Sequence, residues 1–92
     1  MPGLFDPLAI RDLTFANRVF VSPMCQYSSH DGYANDWHFV NLASRAVGGA
    51  GLVLTEATAV LPEARISPQD LGIWSDGHIE KLARIVSFIH AG

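Results

Sequence analysis

Gly51-Leu52-Val53-Leu54-Thr55-Glu56 carries three large apolar residues in a row before its hydroxyl and its carboxylate. No polar residue alternates with them, so Leu52 to Thr55 reads as a strand covered on both faces in a parallel sheet. Upstream, Trp37 to Val47 places Phe39, Leu42, Ala43, Ala46 and Val47 at helical spacing, and Gly48-Gly49 is a natural stop. Further back, Val19-Phe20-Val21 is a compact β-branched and aromatic run ended by Pro23, which cannot donate to a sheet ladder. Between this run and the helix, Met24 to Asp36 is rich in Ser, Asp, Gly and Asn, the chemistry of a loop.

Downstream, Val60 to Trp74 contains Pro62 and Pro68 and is long for a simple connection, which suggests a working loop. Ser75-Asp76 then supplies an N-cap and a first-turn acid for a second helix, with Ile79, Leu82, Ala83, Val86 and Ile89 on one stripe. At the other end, Pro7 to Ile10 and Leu13 to Phe15 flank the polar pair Arg11-Asp12 as a small hairpin. The order after the hairpin is strand, helix, strand, helix, which is α/β. A strand that is apolar on both faces needs neighbours on each side, and two βα units do not supply them. The expectation is an incomplete (β/α)8 TIM barrel: residues 1–92 as its N-terminal portion, a hairpin plus the first two βα units. A complete barrel takes about 250 residues. An open doubly wound sheet would place a glycine-rich phosphate turn after the first strand, and none follows Val21. Gly48-Gly49-Ala50-Gly51 precedes a strand instead of a helix, so a dinucleotide loop fails on order.

Composition removes several functions. The chain is 49% hydrophobic and 16% charged, which forms cores. Six Lys+Arg against nine Asp+Glu give a net charge of -3 and no basic face for nucleic acid. One cysteine forms no internal disulfide, and the start lacks a basic-then-apolar leader pattern, so a reducing cytoplasm is expected. No apolar run reaches the roughly 20 residues of a membrane helix. With one cysteine, four scattered histidines and no CxxC or HExxH, a metal site is not expected.

In a βα barrel the working groups stand at the C-terminal ends of the strands, here Pro23-Met24-Cys25 and Glu56-Ala57-Thr58. Cys25 reads either as a small buried hydrophobe or as a thiol beside a cofactor. A nucleophilic role needs a base, and His30 and His38 are candidates by sequence distance only. Tyr27 is an ordinary rim residue or a substrate contact. Trp37-His38 can begin the helix as packing aromatic and cap, while His78 and His90 read as surface or terminal residues. Glu56 ends a buried apolar strand, where an unpaired charge is costly, so it requires a partner or a ligand.

Together, Ser22-Pro23-Met24-Cys25-Gln26-Tyr27, Asp36-Trp37-His38, Gly48 to Val53, Thr55-Glu56-Ala57-Thr58-Ala59-Val60 and Arg65 to Asp76 resemble the N-terminal part of an Old Yellow Enzyme. The cysteine and tyrosine resemble its YqjM-like and xenobiotic-reductase branch. Ala64 stands where the family usually has Gly, and Asn41 where it often has His. The resemblance implies an FMN-dependent ene-reductase that takes hydride from NADPH or NADH and reduces activated alkenes such as α,β-unsaturated carbonyls. It implies flavin contacts from Ser22, Pro23, Met24, Cys25 and Ala57. In it, Cys25 tunes the flavin edge and Tyr27 reaches the substrate side as the catalytic-site pair. The family's substrate-binding histidine pair, proton donor and phosphate loops fall beyond residue 92, so the 92 residues alone are expected to be inactive; the alternative reading is a non-catalytic truncated fragment that needs another chain to be stable. A homo-oligomer is left open for the full-length protein.

Overall fold

Asn35 starts the first helix because its extended backbone (φ -129°, ψ -170°) lets the side chain accept from Trp37 N–H and His38 N–H. The computed structural model describes residues 3–91. Helix α1 (Asp36–Val47) lies between the strands β3 (Phe20–Val21) and β4 (Leu52–Val53), which pair in parallel with Phe20 opposite Leu52 and Val21 opposite Val53. The ladder runs on beyond the strands, Gly51 N–H donating to Val19 O and Leu54 N–H to Val21 O. The predicted parallel βαβ unit is therefore present. Before it, β1 (Leu8–Ile10) and β2 (Leu13–Phe15) form the expected antiparallel hairpin, and Phe15 stacks edge-on against Phe20 at 5.0 Å.

The long loop is more structured than its prolines suggest. After β4 the chain forms β5 (Thr58–Ala59), a 3-10 turn at Pro62–Ala64 and β6 (Leu71–Gly72), with β5 and β6 paired in parallel. Two-residue strands leave almost no periodic signal, and pairing between Thr58 and Leu71 is invisible to any pattern read along the chain. The loop also supplies the most buried apolar side chain of the core, Leu71, at 1% exposure. Gly72 is required there: a Cβ would collide with the Trp74 ring, as would one on Gly32, which also has φ +77°.

Helix α2 (Asp76–Ala91) packs on α1 through Ala34, Leu42, Leu71 and Ile85, with Phe39, Val53, Leu82 and Ile89 around them. Phe39 meets Phe88 edge-on at 5.1 Å, and the Arg84 guanidinium sits 4.5 Å from the Phe39 ring centre. The buried stripe of α2 is His78, Leu82, Ile85 and Ile89: Leu82 and Ile89 lie on it as expected, whereas Ile79, Ala83 and Val86 are exposed, as is Val47 of α1. The spacing 78, 82, 85, 89 is itself helical, but its first member is polar, so an apolar pattern does not mark it. The covered second strand is also corrected. Leu52 and Val53 are only half-buried and Leu54 is exposed, since β4 has β3 as its single neighbour. Among the described residues there is no closed barrel, and no helix is long and apolar enough to cross a membrane.

Candidate functional site

Because β3 and β4 run in parallel and in register, the segments leaving their C-terminal ends emerge side by side. Ser22-Pro23-Met24-Cys25 leaves one and Leu54-Thr55-Glu56-Ala57 the other. A hydrogen bond from Gln26 N–H to Glu56 Oε2 ties them together. Cys25 and Ala57 each lie one residue along the chain from that bond, and Ala57 lines a separate cavity with Thr58, Ala59 and Asp70. Ser22, Met24, Gln26, Leu54 and Glu56 line one crevice at the bond with His38. Met24 and Tyr27 are 49% and 56% exposed and Cys25 is half-buried, free and without a disulfide. The rim presents sulfur and apolar carbon outward, a surface suited to the face or edge of a flat ring.

Tyr27 has φ +51°, the left-handed region that costs a non-glycine residue about 1–2 kcal/mol. Hydrogen bonds on either side hold it there. Gln26 Nε2 donates to Met24 O at 2.9 Å, Ser28 Oγ to Gln26 O at 2.9 Å and Asn35 Nδ2 to Ser28 O at 2.6 Å. Ser29 N–H donates to Gln69 O, joining the segment to the second loop. Backbone strain over-determined by its surroundings concentrates where geometry matters for function.

Glu56, expected to have a partner, has two. Besides Gln26 N–H, its Oε1 lies 3.0 Å from His38 Nε2, with both side chains almost fully buried. A carboxylate only accepts, so His38 carries a proton on Nε2; its Nδ1 accepts Asn35 N–H at 3.1 Å. His38 is therefore the cap foreseen for it, and its nitrogens are committed to Asn35, Glu56 and Ser29 Oγ, which leaves none for Cys25. His30 is fully exposed beside Asp31. A histidine-activated thiol has no support here.

His78 corrects the sequence reading more sharply. It is 2% exposed, wedged edge-on between Tyr33 and Trp74 at 4.4 Å from each ring centre. Its Nδ1 accepts Ser75 N–H at 3.2 Å, which assigns the proton to Nε2, and that nitrogen donates to Asp31 O at 2.8 Å. The repeated spacing Asn35-x-x-His38 and Ser75-x-x-His78 is a capping-box pattern with histidine in the third helical position, and it was legible. His90, by contrast, is exposed as expected.

Asp70 organises the second loop. It accepts Ser67 Oγ–H at 2.8 Å, Ile66 N–H at 2.7 Å and Ser67 N–H at 3.2 Å. The Ser67 hydroxyl, then those two amides and the nearby Arg65 charge, hold its carboxyl below the usual range, against an opposing push from desolvation. Arg65 also lies 5.2 Å from the Trp74 ring centre. Among the described residues no three His, Cys, Asp or Glu side chains converge as metal ligands would.

Residues 3–92 match the NADH:flavin oxidoreductase / NADH oxidase family. An NADH:flavin oxidoreductase of Gibberella zeae is 52% identical over 88 residues, which are 96% of this chain and 21% of that protein. Among solved structures, morphinone reductase in complex with tetrahydroNAD aligns with TM-score 0.89 and 33% identity over 99% of this chain and 24% of that one. The Old Yellow Enzyme homologue of Zymomonas mobilis aligns with TM-score 0.87 and 32% identity over 98% of this chain and 25% of that one. The chain thus spans between a fifth and a quarter of the length of these relatives. Its sequence and its fold agree with one another, and the chain belongs to the NADH:flavin oxidoreductase / NADH oxidase family, with Old Yellow Enzymes among its structural relatives.

Proposed function

We propose that this chain is the N-terminal portion of an FMN-binding (β/α)8 barrel and forms one wall of its redox site. The reaction is that of an ene-reductase: hydride from NADPH or NADH reaches an activated alkene such as an α,β-unsaturated carbonyl. The observation that supports this is the tie between Gln26 and Glu56, which joins the segment carrying Met24 and Cys25 to the segment carrying Ala57. The fit to a flavin is good on this side. Ser22, Pro23 and Met24 offer backbone and thioether to the ring, Ala57 lets the main chain come close, and the Cys25 thiol is small and weakly polar at the edge. When bound, FMN would supply two-electron chemistry that no side chain here can perform. Tyr27, held outward in its left-handed conformation, stands on the substrate side.

The test is direct. The natural protein containing this chain is expected to purify yellow, to release FMN on denaturation at about one equivalent, and to oxidise a nicotinamide faster when 2-cyclohexenone is added. A colourless protein that FMN neither binds nor activates would refute the assignment.

A further inference from the structure

Glu56 joins segments far apart in sequence. Its Oε2 takes Gln26 N–H and its Oε1 takes His38 Nε2–H. The Gln26 side chain then braces both flanks, donating to Met24 O and accepting the Trp37 indole N–H at 3.0 Å. Cys25 is thus enclosed between two tied residues, and Tyr27 follows in a strained conformation. Helix capping does not require the carboxylate, since Asn35 caps α1 with its own side chain. A buried acid is costly to keep, and the other group it holds is the backbone of the rim.

We propose that Glu56, acting through Gln26 and His38, is a positioning residue. It fixes the Met24 to Tyr27 segment against the end of β4, and so sets where the Cys25 sulfur and the Tyr27 ring meet the flavin and its substrate. The ligand in this inference rests on the flavin reading above; the latch itself stands on this chain's own hydrogen bonds.

The chemistry of an amide makes Glu56→Gln the informative variant. It keeps the shape, but its one acceptor oxygen serves either Gln26 or His38, and its NH2 group then faces the other donor. In the flavin-free natural protein, Gln26 amide exchange and Cys25 alkylation by iodoacetamide are expected to rise about tenfold, the consequence of losing one charge-assisted bond. Trp37→Phe removes the indole donor at an exposed position, leaves the buried acid alone and should raise both rates to a lesser degree. It also keeps the test open if Glu56→Gln does not fold. Unchanged rates in the folded variants would overturn the latch. In the FMN-loaded protein, Glu56→Gln should shift the flavin's visible band and lower kcat by about 100-fold, with the nicotinamide KM little altered. A loosened loop with an unmoved band and kcat would reduce Glu56 to a buried structural acid and overturn the positioning role. If the natural protein binds no flavin, the functional reading fails, while the exchange and alkylation rates still decide the latch.

Discussion

Glu56, His38, His78 and Asp70 are the buried or nearly buried charged and titratable side chains around the two loops, and each holds backbone in place. Glu56 was legible as a residue in need of a partner because a carboxylate at the end of an apolar strand has few alternatives. Its partners were not, since His38 and Gln26 come 18 and 30 residues earlier. His78 is buried and not at the surface because Tyr33 and Trp74, distant from it or unmarked along the chain, close over its ring. Asp70 gives a prediction with a definite sign. Its carboxyl is held below the usual range, so its contribution is complete above the ordinary carboxylate value and is lost as pH falls through the lowered one. The Ile66 and Ser67 amides, which it accepts, should therefore lose exchange protection in acid. Asp70→Asn should weaken that protection at neutral pH and abolish its pH dependence. On the proposed flavin site, Cys25→Ser is expected to shift the flavin band while changing FMN affinity by less than about tenfold, since there the sulfur would meet only the ring edge.

At the scale of elements, what could be read was whatever repeats. The α1 pattern and the apolar run at Leu52 each extend over several residues, and each lies where expected, as does the Gly48-Gly49 stop. The failures lack an apolar run: β5 is Thr58–Ala59, β6 is Leu71–Gly72, and the buried stripe of α2 begins with a histidine. That stripe is testable. Ile85→Ala removes the centre of the α1–α2 contact and should cost roughly 2–5 kcal/mol in chemical denaturation. Val86→Ala, the next residue but on the exposed face, should stay within about 0.5 kcal/mol. The stripe originally expected predicts the reverse ranking, so the pair separates the two directly. Gly32→Ala belongs at this scale too, because it tests how the rim loop meets α2. The added methyl would approach Trp74 Cη2 to 2.5 Å in a left-handed backbone, and a loss of more than about 1 kcal/mol is expected.

Across the whole molecule, the sheet is what remains unfinished. The Cα radius of gyration is 14.5 Å, with extents of 46 × 22 × 22 Å, against about 12 Å for a compact domain of this length. Among the described residues the strands form three separate two-stranded pieces, and six hydrophobic side chains are buried. Phe5, Val60, Leu61 and Ile66 are each more than half exposed, while the outer edge of β4 has no hydrogen-bonding neighbour among the described residues. Apolar surface left open in this way drives association, and an open strand edge templates it. The 92-residue chain expressed alone is therefore expected to elute well above its 10.0 kDa mass, to bind FMN weakly and to show no nicotinamide oxidation. Size-exclusion with light scattering checks the first point and flavin fluorescence titration the second. On the proposed barrel reading, the same segment within a full-length protein should instead unfold together with the other barrel strands in one transition. A sharp monomer peak at 10.0 kDa with its own cooperative unfolding would mean that these residues bury enough surface to stand alone, and would remove the case for a barrel wall.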